Sequence, residues 1–358
     1  MPKYIFWLLD VPGCAAEVCA AATTTRQSSL ASKQFETMLQ RICGTLLLLF
    51  LHGCSHPGSG QMAPLKYRAA GKTPEVLAVY EAWFGHPAHI SVNYNSHDPG
   101  VIKSQIRQAQ AMGISGFVVD WYGDREPFID QSYAVMQKLA AKNKFHIAMM
   151  YDESNEAVGA TDEAIADFKM FHDAYLSPNS PGHDAYLTYQ GRPVILVFPK
   201  SLRTDWSKVR ASVSSWDPAP LLIDEAPAGA DANAFDGYYP WFYIGSKGWA
   251  VDGGNWGEDS LTGFYQTMRD KYPDKIIVGG AWAQFNDSKA SWGLNRQIAP
   301  RCGQTFQDTF SFWRRVFPAD DPIPFILIET WNDYEEGSAV ERGLPTCNAP
   351  AATNSAKN

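Results

Sequence analysis

The amino-acid sequence predicts a closed barrel of eight parallel strands alternating with helices, a (β/α)8 barrel, over residues 76–345. Short apolar runs recur along this part of the chain, and amphipathic stretches separate most of them, as in successive parallel βαβ units. Eight such units in about 250 residues is the ordinary size of this barrel. The glycine-rich turns GxGxxG and GxxxxGK[ST], which would favour a doubly wound open sheet, are absent from the sequence.

The apolar runs are short and bounded by turn residues, which is typical of strands. They predict strands at residues 76–84, 116–119, 146–150, 192–198, 221–223, 235–239, 275–278 and 325–328. Apolar residues at helical spacing predict helices at 102–112, 129–141, 162–175, 206–215, 261–272 and 305–317. The last strand is wholly apolar, which suits a strand buried on both faces.

The first 75 residues do not continue this alternation. After Met38 come a short basic segment and the apolar stretch 42–51, which is too short to span a bilayer and is typical of a secretory signal peptide. We therefore expect translation to start at Met38, residues 1–54 to be an extension with a signal peptide, and residues 55–75 to be a linker. The segment ending at Cys54 resembles a bacterial lipoprotein signal, which predicts lipidation of Cys54 and attachment to a membrane. His52 departs from that pattern, so cleavage by a general signal peptidase stays an alternative, as does a single anchor helix.

The cysteines outside this leader are Cys302 and Cys347, which follow the seventh and eighth predicted strands. Disulfides persist in exported proteins, so we expect these two residues to pair. Residues 346–358 are then a C-terminal tail. No CxxC, HExxH or similar spacing of metal ligands is present, and we expect no metal and no cofactor.

Composition restricts the class of partner. The formal net charge is -8, which argues against a nucleic-acid partner because such partners require a basic face. The chain contains 12 Trp, 16 Tyr and 19 Phe, enough to fill a large core. Aromatic side chains at strand ends are also suited to bind the flat apolar faces of sugars.

The eighth predicted strand runs directly into acidic and amide residues. Asp333 and Glu336 are the predicted catalytic pair, because catalytic residues of such barrels lie at the C-terminal ends of strands. Cleavage of a glycosidic bond requires a proton donor and a second carboxylate. The same Asp-x-x-Glu spacing also fits a capping box, in which Asp333 begins a helix and Glu336 bonds back to its amide. Glu335 is then expected to point away from the site, in the first helical turn.

Substrate contacts are predicted at the other strand ends as well. They are Trp83, Asp120, Trp121, Tyr122, Asp152, Tyr239, Trp241 and Trp282, together with Asn332 after the eighth strand.

The segment 331–337, WNDYEEG, resembles the WNEWxEG-type signature of glycoside hydrolase family 99 and the WNDYGES-type segment of family 71. The segments 83–85, 120–123 and 235–239 resemble further parts of the same group, so that the resemblance covers most of residues 76–342. It implies a (β/α)8 barrel that acts without a cofactor on α-linked glycans or polysaccharides. The substrates are α-mannosides in family 99 and α-1,3-glucan in family 71.

The resemblance also implies roles for the carboxylate pair. In family 99 the first carboxylate deprotonates the sugar 2-hydroxyl, which attacks the anomeric carbon, and the second is the general acid/base. By position these are Asp333 and Glu336. The first is Asp here where the signature has Glu, so Asp333 is either the base or a residue that only orients the sugar.

Together with the leader, the resemblance predicts an exported glycosidase, periplasmic or on the outer surface, with an oligosaccharide or polysaccharide substrate. Two alternatives stay open. A glycosyltransferase-associated 99-like domain in surface polysaccharide synthesis shares a similar signature, but it requires a nucleotide-sugar donor that an exported chain does not meet. A non-catalytic glycan-binding lipoprotein predicts sugar binding without release of reducing ends.

Overall fold

The computed structural model describes residues 73–153, 159–200, 203–225, 232–243 and 254–347. Within these ranges eight parallel strands form a closed barrel, which confirms the predicted fold. The strands are β1 (Glu75–Tyr80), β2 (Gly116–Trp121), β3 (His146–Asp152), β4 (Arg192–Phe198), β5 (Leu221–Glu225), β6 (Gly237–Tyr239), β7 (Ile276–Ala281) and β8 (Phe325–Ile328). Each pairs with the next along the chain, and β8 closes the barrel against β1, with Ala78 opposite Ile328.

Helices lie between most of these strands, at the places where the apolar spacing predicts them. They are α1 (Pro99–Ala111), α2 (Pro127–Asn143), α3 (Ala160–Phe171), α4 (Trp206–Val213), α5 (Glu258–Lys271) and α6 (Gln304–Ser311). The start of α1 shows the local cause: Asp98 accepts a hydrogen bond from the amide of Gly100, and Pro99 takes the first helical position. None of the helices in the described ranges has the length and apolar character to cross a membrane.

Side chains alternate between the barrel interior and the helix layer along each strand. This alternation decides which side chains reach the mouth of the barrel, at the C-terminal ends of the strands. On β1, the Tyr80 hydroxyl donates to Gln105 of α1, 2.7 Å away, so the next residue, Glu81, faces inward. On β2, Asp120 faces inward and Trp121 faces α2. Of two neighbouring residues at the end of a strand, therefore, only one directs its side chain into the mouth.

Cys302 and Cys347 form a disulfide, the pairing that the sequence predicts, with 4.6 Å between their Cα atoms. The bond joins the turn before α6 to the segment that follows β8. The predicted leader with Cys54, nearly all of the linker and the end of the tail lie outside the described residues.

Candidate active site

The Asp-x-x-Glu segment after β8 forms half of a capping box. One oxygen of Asp333, Oδ1, accepts hydrogen bonds from the amides of Glu335 at 2.9 Å and Glu336 at 2.8 Å. The reciprocal bond is not made, because the Asp333 amide donates to Thr330 Oγ1 at 2.8 Å. A turn and not a helix follows, through the described end of the chain at residue 347. Asp333 thus closes a tight turn, and Glu336 has no capping role.

The carboxyl of Glu336 lies instead at the mouth of the barrel. Its Oε1 accepts a hydrogen bond from the indole N–H of Trp292 at 2.8 Å. Burial raises the pKa of Glu336, and burial together with the neighbouring Glu336 charge raises the pKa of Asp333. Burial thus favours the protonated form of both carboxyls. A carboxyl with a raised pKa is suited to act as a general acid.

Two further predicted carboxylates lie beside this pair and are almost fully buried, Asp120 being 7% and Asp152 2% exposed. Asp120 accepts a hydrogen bond from the Tyr122 hydroxyl at 2.7 Å. Asp152 pairs with the ammonium of Lys200 at 2.6 Å, and that ammonium also lies 5.1 Å from the centre of the Tyr122 ring. The two carboxylates therefore position Tyr122 and Lys200, which are the partly exposed members of the group.

Glu81, at the end of β1, belongs to the same group of carboxyls. Burial, followed by the negative charges of Asp120 and Asp333, raises the pKa of Glu81 well above its ordinary value. Asn332 holds this residue by its backbone: the Asn332 amide group donates to Glu81 O at 2.9 Å, and Glu81 N donates to Asn332 Oδ1 at 2.8 Å. Asn332 is fully buried, and these bonds join β1 to the segment after β8, so the structure gives this predicted substrate contact a structural role.

Aromatic rings form the side of the mouth next to Glu336. Trp83 and His89 stack with their centroids 4.6 Å apart and their planes 3° from parallel. His89 covers one face of the Trp83 ring, and Trp83 is only 6% exposed. Trp83 therefore supports the His89 ring and does not present a free face to a sugar. Glu335 does not point away as expected: it is buried, and its Oε2 lies 2.8 Å from His89 Nδ1. The expected helical turn does not form, and Glu335 fixes the His89 ring.

Two of the predicted sugar-binding tryptophans are instead part of the core. Trp121 is fully buried, and its indole N–H donates to Asp130 of α2 at 3.1 Å. Trp282 is also fully buried, and its indole N–H donates to Trp256 O at 2.9 Å. Strand alternation directs Trp121 away from the interior and the residues around Trp282 cover it, so neither ring is exposed at the mouth.

The two aromatic residues predicted at the end of β6 separate in the same way. Tyr239 is fully buried and donates to Val197 O of β4 at 2.8 Å, so it fills the barrel interior below the mouth. Trp241 is partly exposed and packs edge-on against Phe198, with 5.2 Å between the ring centroids. Of the two, Trp241 alone is placed to meet a substrate.

The predicted set of site residues lacks Lys200 and Trp292, as well as Glu81 and His89. Lys200 stands two residues after β4, near the C-terminal end of its strand as Asp120 and Asp152 are near the ends of theirs, and that position was an available signal. Trp292 lies within the loop after β7, where no period or motif marks it. Across the described ranges, no three His, Cys, Asp or Glu side chains are arranged to hold a metal ion.

Comparison with known proteins gives a likeness of fold. No family model matches the sequence, and no curated protein matches it. Two solved structures of a GH99 endo-alpha-mannosidase from Bacteroides thetaiotaomicron superpose with TM-scores of 0.57 and 0.59, at 17% and 16% identity. The matches cover 75% of this chain and 87% and 88% of theirs. A protein described as glycoside hydrolase-like superposes with a TM-score of 0.58 at 13% identity, over 78% of this chain and 90% of its own. At these identities the likeness shows a shared barrel fold.

Proposed function

We propose that this protein is a glycoside hydrolase that cleaves α-linked glycans, with Glu336 as the general acid/base and Asp333 as the assisting carboxylate. The half-formed capping box carries this proposal. A purely structural Asp-x-x-Glu would use the Glu336 side chain on the Asp333 amide, but Thr330 occupies that amide and Glu336 bonds to Trp292 at the mouth. The carboxyl is thus held by Trp292 and not by its own turn.

The proposed reaction starts with a protonated Glu336, the form that burial favours. Asp333 takes the proton of the sugar 2-hydroxyl while that oxygen attacks the anomeric carbon. The glycosidic bond breaks as Glu336 protonates the leaving oxygen. Glu336 then deprotonates a water that attacks the anomeric carbon and opens the strained ring, and Asp333 returns its proton to the 2-oxygen. Lys200, held by Asp152, supplies hydrogen-bond donors for the sugar hydroxyls, and Tyr122, which donates its own proton to Asp120, supplies an acceptor.

Two observations support α-linked substrates. The WNDYEEG segment resembles a signature of enzymes that cleave α-mannosides or α-1,3-glucan, and the barrel resembles solved structures named as endo-alpha-mannosidase. Fold alone is a weak argument for function, so the motif and the geometry of its carboxyls carry more weight.

The test compares the wild type with Glu336→Gln on α-mannans, α-1,3-glucans and β-linked controls, counting the reducing ends released. We expect release from an α-linked polymer and a loss of about 10²–10⁴-fold in the variant, which cannot donate a proton. Glu258→Gln is the matched control, because Glu258 pairs with Arg315 at 3.0 Å on the outer helices. Equal rates for the wild type and Glu336→Gln would make Glu336 a structural residue. Binding of a glycan without any release would favour the glycan-binding protein.

We further propose that the protein is exported, to the periplasm or the outer surface, and anchored through a lipidated Cys54. The disulfide between Cys302 and Cys347 supports export, since such bonds persist in oxidising compartments. Fractionation of cells expressing the wild type and Cys54→Ser tests the anchor. We expect the wild type with the membranes and the variant in the soluble exported fraction. Equal distribution of the two would exclude lipidation at this residue.

A further inference from the structure

Trp292 combines two properties that a core tryptophan does not have. Its side chain is 45% exposed, although large aromatic residues are normally buried. At the same time its indole N–H is bonded to Glu336 Oε1 at 2.8 Å. A flat aromatic surface is thus presented to solvent beside the proposed acid.

The loop that carries Trp292 is firmly held. The fully buried Asp287 accepts hydrogen bonds from the amides of Leu294 at 3.0 Å and Arg296 at 2.6 Å, and also from the Arg296 guanidinium at 2.6 Å. Gly293, directly after Trp292, lies so close to this turn that a Cβ would stand 1.7 Å from Asp287 O. The hydrogen bonds to Asp287 and this close backbone packing together hold the loop, and with it Trp292, in one position.

The same loop is joined to the turn that carries Glu336. Asn286 N donates to the backbone oxygen of Glu336 at 2.7 Å. A Cβ on Gly337 would lie 3.1 Å from Asn286 O, so the two segments pack backbone against backbone. With the indole bond, two connections fix Trp292 relative to the acid.

Trp292 also forms one wall of an aromatic corner. Its ring stands at 75° to Trp83 and at 72° to His89, with 6.4 Å between the centroids in both cases. Trp83 and His89 lie parallel, so two walls meet at nearly a right angle next to Glu336. One wall of such a corner suits the apolar face of a pyranose ring, and the other suits its edge.

We propose that Trp292 is the platform for the sugar on the leaving-group side of the scissile bond, and that its N–H orients Glu336 toward the glycosidic oxygen. This inference rests on the proposed function. The acid protonates an oxygen that departs with the leaving sugar, so an exposed surface bonded to the acid lies on that sugar's side. The group formed by Asp120, Asp152 and Lys200 then binds the other sugar, whose anomeric carbon is attacked.

Two substitutions separate the two roles of Trp292. Trp292→Phe keeps an aromatic face and loses the N–H, whereas Trp292→Ala loses both. Each is measured on the α-linked oligosaccharide that the wild type cleaves best, and on the matching α-glycosyl fluoride. The fluoride leaves without a sugar and without protonation. Trp216→Ala is the matched control, because Trp216 packs against His172 on the outer surface, with 4.3 Å between ring centroids.

For the oligosaccharide we expect Trp292→Ala to lower kcat/KM by about 10–100-fold, mainly through KM, with a loss on the fluoride at least tenfold smaller. Trp292→Phe is expected to keep KM within about threefold and to move the alkaline limb of the pH profile upward, since the carboxylate loses a hydrogen-bond donor. Equal losses on both substrates, or an unchanged KM in Trp292→Ala, would overturn the inference.

The proposed function fails separately, if the wild type hydrolyses neither substrate. Calorimetric titration with oligosaccharides of α-mannan and of α-1,3-glucan then decides on the platform alone. A loss of affinity in Trp292→Ala, with wild-type affinity in Trp216→Ala, would support the platform role of Trp292. Equal affinities of the wild type and Trp292→Ala would refute it.

Discussion

The hydrogen bonds between Asn332 and the backbone of Glu81 predict a large structural cost for losing one side chain. Asn332→Ala removes both bonds and leaves the N–H and C=O of Glu81 buried and unpaired. Each orphaned group costs about 1–3 kcal/mol, so the free energy of unfolding should fall by about 2–6 kcal/mol. That is a large share of the 5–15 kcal/mol that typically separates folded from unfolded protein. Urea unfolding of the purified variant measures the loss.

Asn143→Ala is the matched control for this prediction. Asn143 donates a single hydrogen bond, to Leu139 O at 2.7 Å, from a partly exposed position at the end of α2. Its loss should cost about 0.5–1.5 kcal/mol. If Asn332→Ala keeps wild-type stability and raises only KM, then Asn332 contacts substrate and the structural role given to it here is refuted.

Three further predictions concern the disulfide, a carboxyl with a raised pKa and a core tryptophan. Replacing Cys302 and Cys347 by Ser should lower the free energy of unfolding by about 2–4 kcal/mol, because the bond closes a loop between positions 45 residues apart, and equal calorimetric midpoints would contradict this. Burial raises the pKa of Glu225 from 4.5 to about 7, so the native state binds the extra proton and stability should fall as pH rises through this interval. Glu225→Gln should make that decline smaller by the contribution of this one carboxyl, and curves of stability against pH that run parallel for the two proteins across this interval would refute the prediction. Trp121→Phe should lower the melting temperature by a few degrees and leave KM unchanged, as expected for a core residue, whereas a raised KM would return Trp121 to the site.

The barrel was predictable because apolar periodicity records burial directly. Each predicted strand and helix corresponds to an element of the structure within a few residues. The end of β2 shows where the same reasoning stopped short. Asp120 and Trp121 are neighbours in sequence, and strand alternation already implied that only one of them faces the interior. Adding this rule to the strand ends would have removed Trp121 from the predicted site.

Other features of the site depend on long-range contacts that no local pattern records. Trp292 lies 44 residues before Glu336, in a loop held by Asp287 and Arg296. Glu335 becomes buried because His89, from the loop after β1, comes to lie against it. In both cases the local sequence carries no signal, and the role of the residue depends on a partner that the closed barrel places beside it.

The Asp-x-x-Glu segment combines features of the two interpretations that the sequence left open, because Asp333 closes a turn as a capping residue does, whereas Glu336 bonds outside that turn. Asp333 accepts both turn amides through one oxygen, so the short side chain stays against its own turn and leaves a single oxygen for a sugar. Asn presents the same carbonyl oxygen to those amides. Asp333→Asn should therefore keep the turn and the melting temperature while lowering kcat by at least about 10²-fold, if this carboxylate acts as the base. Asp333→Ala should lower the melting temperature as well as kcat, because it removes the turn hydrogen bonds together with the carboxylate. Full activity in Asp333→Asn would restrict Asp333 to its turn and leave Glu336 as the only catalytic carboxyl of the segment.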